Sequence, residues 1–75
     1  MFNMPSKQLE EIRKKHPAGT AVELVSMTDV HAPAAGTRGT VLYVDDIGQI
    51  HVAWATGLHL ALVPGVDEWT IVESI

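Results

Sequence analysis

The chain begins with a polar segment whose few apolar positions follow a helical spacing. Leu9, Ile12 and His16 recur at intervals of three and four residues, which places them on one face of a helix. Pro5 suits the first turn of a helix, because that position needs no backbone N–H donor. The pattern therefore predicts one short helix over Ser6–Lys15.

From Thr20 onward the spacing of apolar positions changes to two, which is the repeat of a β-strand. Five short alternating segments are separated by turn residues, and the predicted strands are 20–27, 39–44, 49–54, 58–63 and 69–72. A long loop follows the first strand, whereas the later connections are tight turns that contain glycine. This layout is typical of a five-stranded SH3-like small barrel. The predicted fold is therefore mainly β, with one short N-terminal α-helix.

The length and composition are those of one small domain. Its 75 residues suffice for a single core, which we divide into an N-terminal helix and turn at 1–17 and a barrel at 18–75. The chain has no cysteine, which excludes disulfides and thiolate metal clusters. No segment has the pattern of a signal peptide or a membrane span, so a soluble cytoplasmic protein is expected.

Charge is distributed unevenly between these two parts. The net charge is −4 at pH 7, yet residues 1–17 hold four cations against two carboxylates. In residues 18–75 the single cation, Arg38, stands against seven carboxylates. Nucleic-acid binding requires several cations facing phosphates, so the barrel is not expected to bind nucleic acid. The basic end of the helix is the one candidate for that role.

The hairpin formed by the third and fourth predicted strands is the most informative segment. Pairing Trp54 with Leu58 across a tight loop places six apolar side chains on the face toward the core. These six are Ile50, Val52, Trp54, Leu58, Leu60 and Leu62.

The opposite face of this hairpin carries small, uncharged side chains. Ala53 lies opposite His59, and Ala61 lies opposite His51. Hydrophobic residues make up 47% of the chain, so some apolar side chains must lie outside the core. We interpret this face as a contact surface for a second copy or another protein; the alternative is an ordinary exposed strand face. The predicted interface residues are His51, Ala53, His59, Ala61, Leu42 and Tyr43.

Leu42 and Tyr43 are neighbours on the second predicted strand. One of them must therefore face outward unless a β-bulge intervenes. We expect the outward residue to join the same apolar surface.

Two histidines on this outer face suggest a metal site as an alternative. A metal would need a third and a fourth ligand, and no carboxylate or cysteine is expected on this face. We therefore predict no metal and no cofactor. No catalytic residues are predicted either, because the serines lack a glycine-flanked nucleophile elbow.

Four blocks of the sequence, GTAVELVSM, GTRGTV, VDDIGQIHVAW and LALVPGVDEWTIV, resemble a small family of domains of unknown function. Its members occur in Gram-positive bacteria, their phages and integrative elements. The resemblance implies an SH3-like fold and a mobile-element context, but no activity. More distantly, GTRGTVLYVDD followed by VAW resembles the KOW-type barrels of ribosomal and transcription proteins. The family usually has polar residues where this chain has Ala55-Thr56, and small or polar ones where it has Leu42-Tyr43, so this copy has a more apolar exterior.

Three functional hypotheses follow. The first is a non-enzymatic adaptor or inhibitor module of a phage or mobile element, acting by self-association or protein docking. The second is an oligomeric sponge for a nucleotide signal of bacterial defence, with Arg38, His31, His51 and His59 as candidate ligand-binding residues. The third is a nucleic-acid-associated domain similar to KOW-type barrels.

Overall fold

The computed structural model describes residues 4–72 and contains one helix and five strands. The elements are α1 (Ser6–Lys15), β1 (Ala21–Ser26), β2 (Arg38–Val44), β3 (Ile50–Trp54), β4 (His59–Leu62) and β5 (Glu68–Ile71). All neighbouring strands are antiparallel, and their order in the sheet is β4-β3-β2-β1-β5. The prediction of a mainly β, SH3-like small barrel with one short N-terminal helix is confirmed. The predicted outer limits of its two parts, residues 1 and 75, lie outside the described residues.

The pairing predicted for the β3–β4 hairpin is confirmed in its register. Ile50 lies opposite Leu62 and Val52 opposite Leu60, with Ala53 opposite His59 in the alternate position. The hairpin closes where the Trp54 N–H donates to the Leu58 carbonyl at 2.8 Å.

Among residues 4–72, seven buried apolar side chains form the core, and all five strands or their ends pack around it. They are Val22, Leu24, Val41, Ile50, Val52, Trp54 and Leu62. Leu60 is half-buried against this cluster. The prediction that Leu58 belongs to the core is wrong, since this side chain is 40% exposed. Leu58 precedes β4, the outermost strand of the sheet, so no further strand covers it on that side.

Gly39 in β2 is required by a close approach between two strands. It lies directly opposite Trp54 on β3. A Cβ atom at position 39 would stand 2.5 Å from Val52 Cγ1 and 2.8 Å from Trp54 Cε3. Both are core side chains with little room to move, so the indole packs over the bare glycine backbone.

Helix α1 packs on its own barrel, with Ile12 against the core cluster. At the helix end the His16 side chain is only 7% exposed. The Trp69 Nε1–H donates to His16 Nε2 at 3.1 Å, so Nε2 is the acceptor and Nδ1 carries the proton. The Nδ1–H donates to the Ile12 carbonyl at 2.8 Å. Both ring nitrogens are thus satisfied, and the imidazole connects the end of the helix to β5.

The variant Gly39→Ala is expected to lower the free energy of unfolding by about 1–3 kcal/mol, because the added methyl group overpacks the core. Urea unfolding measures this loss. The exposed loop variant Ala35→Ser serves as the control and should change stability by less than about 0.5 kcal/mol. Equal stability of the wild type and Gly39→Ala would contradict the close approach described above.

Candidate functional site

Two rows of side chains cross the outside of the sheet, and together we call them the outer face. Directly opposed residues on neighbouring strands point to the same side of a sheet. The first row runs from β1 to β4 and consists of Ala21, Thr40, Ala53 and His59. The second row runs from β2 to β4 and consists of Tyr43, His51 and Ala61. The outer face therefore has small or uncharged side chains across four strands.

A shallow depression of about 220 Å³ lies along the first row. Its lining includes Ala21, Thr40, Ala53 and the β2 residue Arg38. The Arg38 Nε–H donates to Glu23 at 3.3 Å, and both side chains are substantially exposed. An exposed ion pair of this kind contributes little to stability, which leaves the guanidinium available for a carboxylate or phosphate.

A β-bulge in β2 brings Tyr43 onto the outer face. Val41 pairs with Val52 and Tyr43 pairs with His51, so Leu42 has no opposing residue. The extra residue lets Val41 face the core while Leu42 and Tyr43 are 41% and 55% exposed. The β-bulge that the sequence allowed as an alternative is therefore present. Leu42 and Tyr43 both contribute apolar surface.

The Tyr43 ring stacks on the His51 ring, and the His51 ring is in turn hydrogen-bonded to Asp45. The ring centroids lie 4.3 Å apart and the planes differ by 11°. His51 Nε2 lies 2.8 Å from Asp45 Oδ2, and because a carboxylate only accepts, the Nε2–H is the donor. Asp45 therefore orients the His51 ring on which Tyr43 stacks, and we call this stacked pair the aromatic platform.

Asp45 is also the residue that closes the β2–β3 turn. Its Oδ1 accepts from the Gln49 N–H at 2.9 Å and from the Ile47 N–H at 3.2 Å. Desolvation alone would raise the pKa of Asp45, but the hydrogen bond from His51, the two backbone N–H donors and the His51 charge together outweigh it. The net pKa of Asp45 therefore lies below 3.8.

The expectation that no carboxylate lies on the outer face is wrong. Asp45 follows β2 in the sequence, and the turn folds its side chain back onto His51. Within residues 4–72, no three side chains of histidine, cysteine, aspartate or glutamate converge as a metal-binding group. The Asp45–His51 pair is thus a two-residue contact that orients the ring.

The structure brings most of the predicted interface residues together. His51, Ala53, His59, Ala61 and Tyr43 lie in the two rows, and Leu42 is the bulge residue beside them. By contrast, His31 lies in the exposed loop between β1 and β2, where its backbone N–H donates to Asp29 at 2.7 Å. His31 therefore belongs to neither row.

Sequence reasoning missed the contributions of β1 and of the β2–β3 turn. Ala21 and Thr40 extend the first row, and Asp45 supports the platform. A signal for Ala21 was present, because it alternates with the buried Val22 and must face away from the core. The position of Asp45 depends on the turn conformation and has no comparable signal in the pattern.

Among the described residues 4–72, Arg13 is the helix cation whose side chain bonds to the barrel. The Arg13 guanidinium donates to Asp46 at 2.8 Å. Both side chains are exposed, so this ion pair contributes little to stability, but it places a carboxylate beside the basic end of the helix. Within residues 4–72, no helix has the length and apolar character needed to cross a bilayer.

Comparison with known protein families identifies a match over most of the chain. The family model described as Domain of unknown function (DUF4314) matches residues 5–72, which is nearly the whole chain. Searches of curated proteins and of solved structures return no significant match.

The Asp45 contacts predict a specific acid sensitivity. Because the folded-state pKa of Asp45 is lowered, its stabilisation is present above pH 3.8 and is lost as the pH falls through the folded-state pKa. Urea unfolding as a function of pH should show this loss in the wild type. The variant Asp45→Asn should be less stable at neutral pH and should lack this component below pH 3.8. The same acid slope in both proteins would contradict the assignment.

Proposed function

The chain belongs to the family described as Domain of unknown function (DUF4314), and we propose that it is a non-enzymatic binding module that acts through its outer face. The module would work as an adaptor or an inhibitor, by self-association or by docking on another protein. One observation carries the proposal: two rows of mostly small side chains cross four strands. A strand face in water usually carries longer polar or charged side chains.

The small side chains of the outer face favour contact with a protein rather than with water alone. The alanines at 21, 53 and 61 leave the sheet flat and let a partner approach the backbone closely. The Tyr43–His51 platform rises at one side. Tyrosine is enriched at protein interfaces because it combines apolar area with a hydroxyl group that can form hydrogen bonds.

The polar groups around the outer face would supply specificity. Arg38 stands at the depression next to Ala53, where it can meet a carboxylate of the partner. Asp45 follows β2 at its far end and is hydrogen-bonded to His51. A partner that places a carboxylate at Arg38 and an apolar side chain over the alanines would complement this surface.

The proposed setting is the cytoplasm of a Gram-positive host, with the gene carried by a phage or an integrative element. The sequence blocks described above support this setting by resemblance.

A negative charge at the centre of the outer face should weaken self-association. Ala53→Glu would bury an unpaired carboxylate in the contact between two copies. The weight-average mass of this variant at high concentration should therefore fall below that of the wild type. Ala18→Glu makes the same change at an exposed turn residue and is the matched control. Sedimentation equilibrium measures all three proteins. Equal masses for the three would contradict the role of the outer face.

A nucleotide sponge is the second candidate, and one observation favours it. The exposed Tyr43–His51 stack offers a flat ring on which a base can stack, and Arg38 can meet a phosphate. The net charge of −4 opposes anion binding over the rest of the surface.

Thermal unfolding against a panel of mono-, di- and cyclic nucleotides tests the second candidate. A nucleotide at about 100 times its Kd should add about 2.7 kcal/mol to the stability of the fold. Tyr43→Ala and Arg38→Ala should each reduce that gain. No shift with any nucleotide in the panel would exclude this candidate.

The third hypothesis, nucleic-acid association, has less support. The pairing of Arg13 with Asp46 weakens the basic end of the helix, and the adjoining barrel is acidic. A mobility shift at low salt that disappears when Lys14 and Lys15 are neutralised would favour it.

A further inference from the structure

The hydrogen bonds of β3 determine which way the backbone groups of β4 point. In an antiparallel pair, opposed residues alternate between hydrogen-bonded and non-hydrogen-bonded positions. The Trp54 N–H donates to Leu58, whereas the Ala55 N–H donates to Arg38 on the other side. Even-numbered residues of β3 therefore bond to β4, and odd-numbered residues bond to β2.

Because of the same alternation, the backbone N–H and C=O groups of every second residue in β4 point away from the sheet. Leu60 and Leu62 lie opposite Val52 and Ile50 and use their backbone groups to bond β3. His59 and Ala61 lie at the non-hydrogen-bonded positions, so their N–H and C=O groups point to the open edge. Within residues 4–72, β4 has β3 as its only neighbour in the sheet.

The turn after β4 provides hydrogen-bond partners for the outward-pointing backbone groups of Val63. In the described part of the chain, it provides none for those of His59 and Ala61. The Val63 N–H donates to Asp67 Oδ2 at 2.8 Å. The Val63 carbonyl accepts from Val66 and Asp67 at 3.0 and 2.9 Å. The open part of the edge is therefore limited to the backbone groups of His59 and Ala61.

Apart from its length of only 4 residues, the β4 edge lacks the features that protect edge strands from pairing. His59–Leu62 contains no lysine, no proline and no shift of register. The other edge strand, β5, has an acidic residue at Glu68 and lies opposite a register shift in β1. Its Trp69 is also bonded to the end of the helix. Of the two edge strands, β4 is therefore better suited to pair with a strand from another chain.

We propose that two copies of this chain pair through their β4 edges, antiparallel and about a two-fold axis at Leu60. This inference rests on the proposed function for the identity of the partner, but it uses the edge of the sheet and not the outer face. His59 of one copy lies opposite Ala61 of the other, and the reverse holds across the axis. Their outward N–H and C=O groups then bond reciprocally, and the two sheets become one.

The β4 sequence is self-complementary in this register. Each large His59 side chain meets a small Ala61, and no like charges are opposed. Leu60 meets Leu60 at a non-hydrogen-bonded position, where the side chains of opposed residues are closest. β4 has only 4 residues, so the ladder is short, and the exposed parts of Leu58 and Leu60 add apolar contact area. The pairing also joins the outer faces of both copies into one surface.

Solution mass and amide hydrogen exchange test the proposal on the full chain. Sedimentation should show a dimer that dissociates on dilution. In NMR exchange experiments the His59 and Ala61 amides should become protected as the concentration rises, while the Leu60 amide is protected throughout. A monomer at every concentration overturns the proposal, as does a trimer, a larger ring, or a dimer in which the His59 and Ala61 amides exchange freely.

Ala61→Pro removes the outward N–H without removing a bond to β3, because an edge strand tolerates proline on its open side. We expect its dimer Kd to rise at least about tenfold. Ala61→Val keeps the N–H and changes only the side chain, so its Kd should rise less than that of Ala61→Pro. An unchanged Kd in a folded Ala61→Pro variant overturns the proposal.

A charge exchange tests the register even if the proline variant fails to fold. A chain with His59→Glu and Ala61→Glu should be monomeric, and so should a chain with His59→Lys and Ala61→Lys. Mixing the two chains should restore a dimer, because residue 59 of each faces residue 61 of the other. Failure of the mixture to form dimers overturns the proposed register.

Ala53→Glu separates this proposal from the proposed function. Ala53 lies one strand inside the edge, about 10 Å from a paired β4 of a second copy. The edge dimer should therefore persist in Ala53→Glu even where larger assemblies are lost. A wild-type dimer that becomes a monomer in this variant overturns edge pairing and supports the outer face. A dimer unchanged by Ala53→Glu but weakened by Ala61→Pro supports edge pairing and counts against the outer face.

Discussion

Strand β3 is paired on both sides, and its alternation organises the rest of the molecule. Because successive side chains point to opposite faces, burial of Ile50, Val52 and Trp54 commits His51 and Ala53 to the outside. A slip of one residue would move the whole apolar set into water, so the register is strongly specified. The backbone obeys the same alternation, which decides that β4 presents His59 and Ala61 to its open edge.

Two local features shape the outer face of this regular sheet. The bulge at Leu42 turns Tyr43 outward while Val41 and Val44 continue to face inward. The Asp45 side chain then fixes the turn through Gln49 and orients His51 beneath the tyrosine. Stability and site geometry are therefore linked, because the same carboxylate that closes the hairpin also holds the platform.

The outer face and the β4 edge meet at His59 and Ala61. Side chains of these residues lie on the face, and their backbone groups point to the edge. A second copy at the edge would extend the outer face without covering it, because paired strands continue a sheet in its own plane. The two proposed contacts therefore use different atoms of the same residues, and a partner on the face could bind a surface shared by two copies.

The sequence by itself determined the helix, the five strands, the β3–β4 register and the side of the sheet that Ile50, Val52 and Trp54 occupy. These depend on the spacing of apolar residues and on tight turns, which are local properties of the chain. Only the tertiary structure decided that Leu58 is exposed, that Asp45 reaches His51, and that His16 joins α1 to Trp69. Each of these depends on strand order or on how a turn directs one side chain, and residues distant in the chain set both. The open edge at β4 belongs to the same class, since a strand becomes an edge only when the whole sheet has formed.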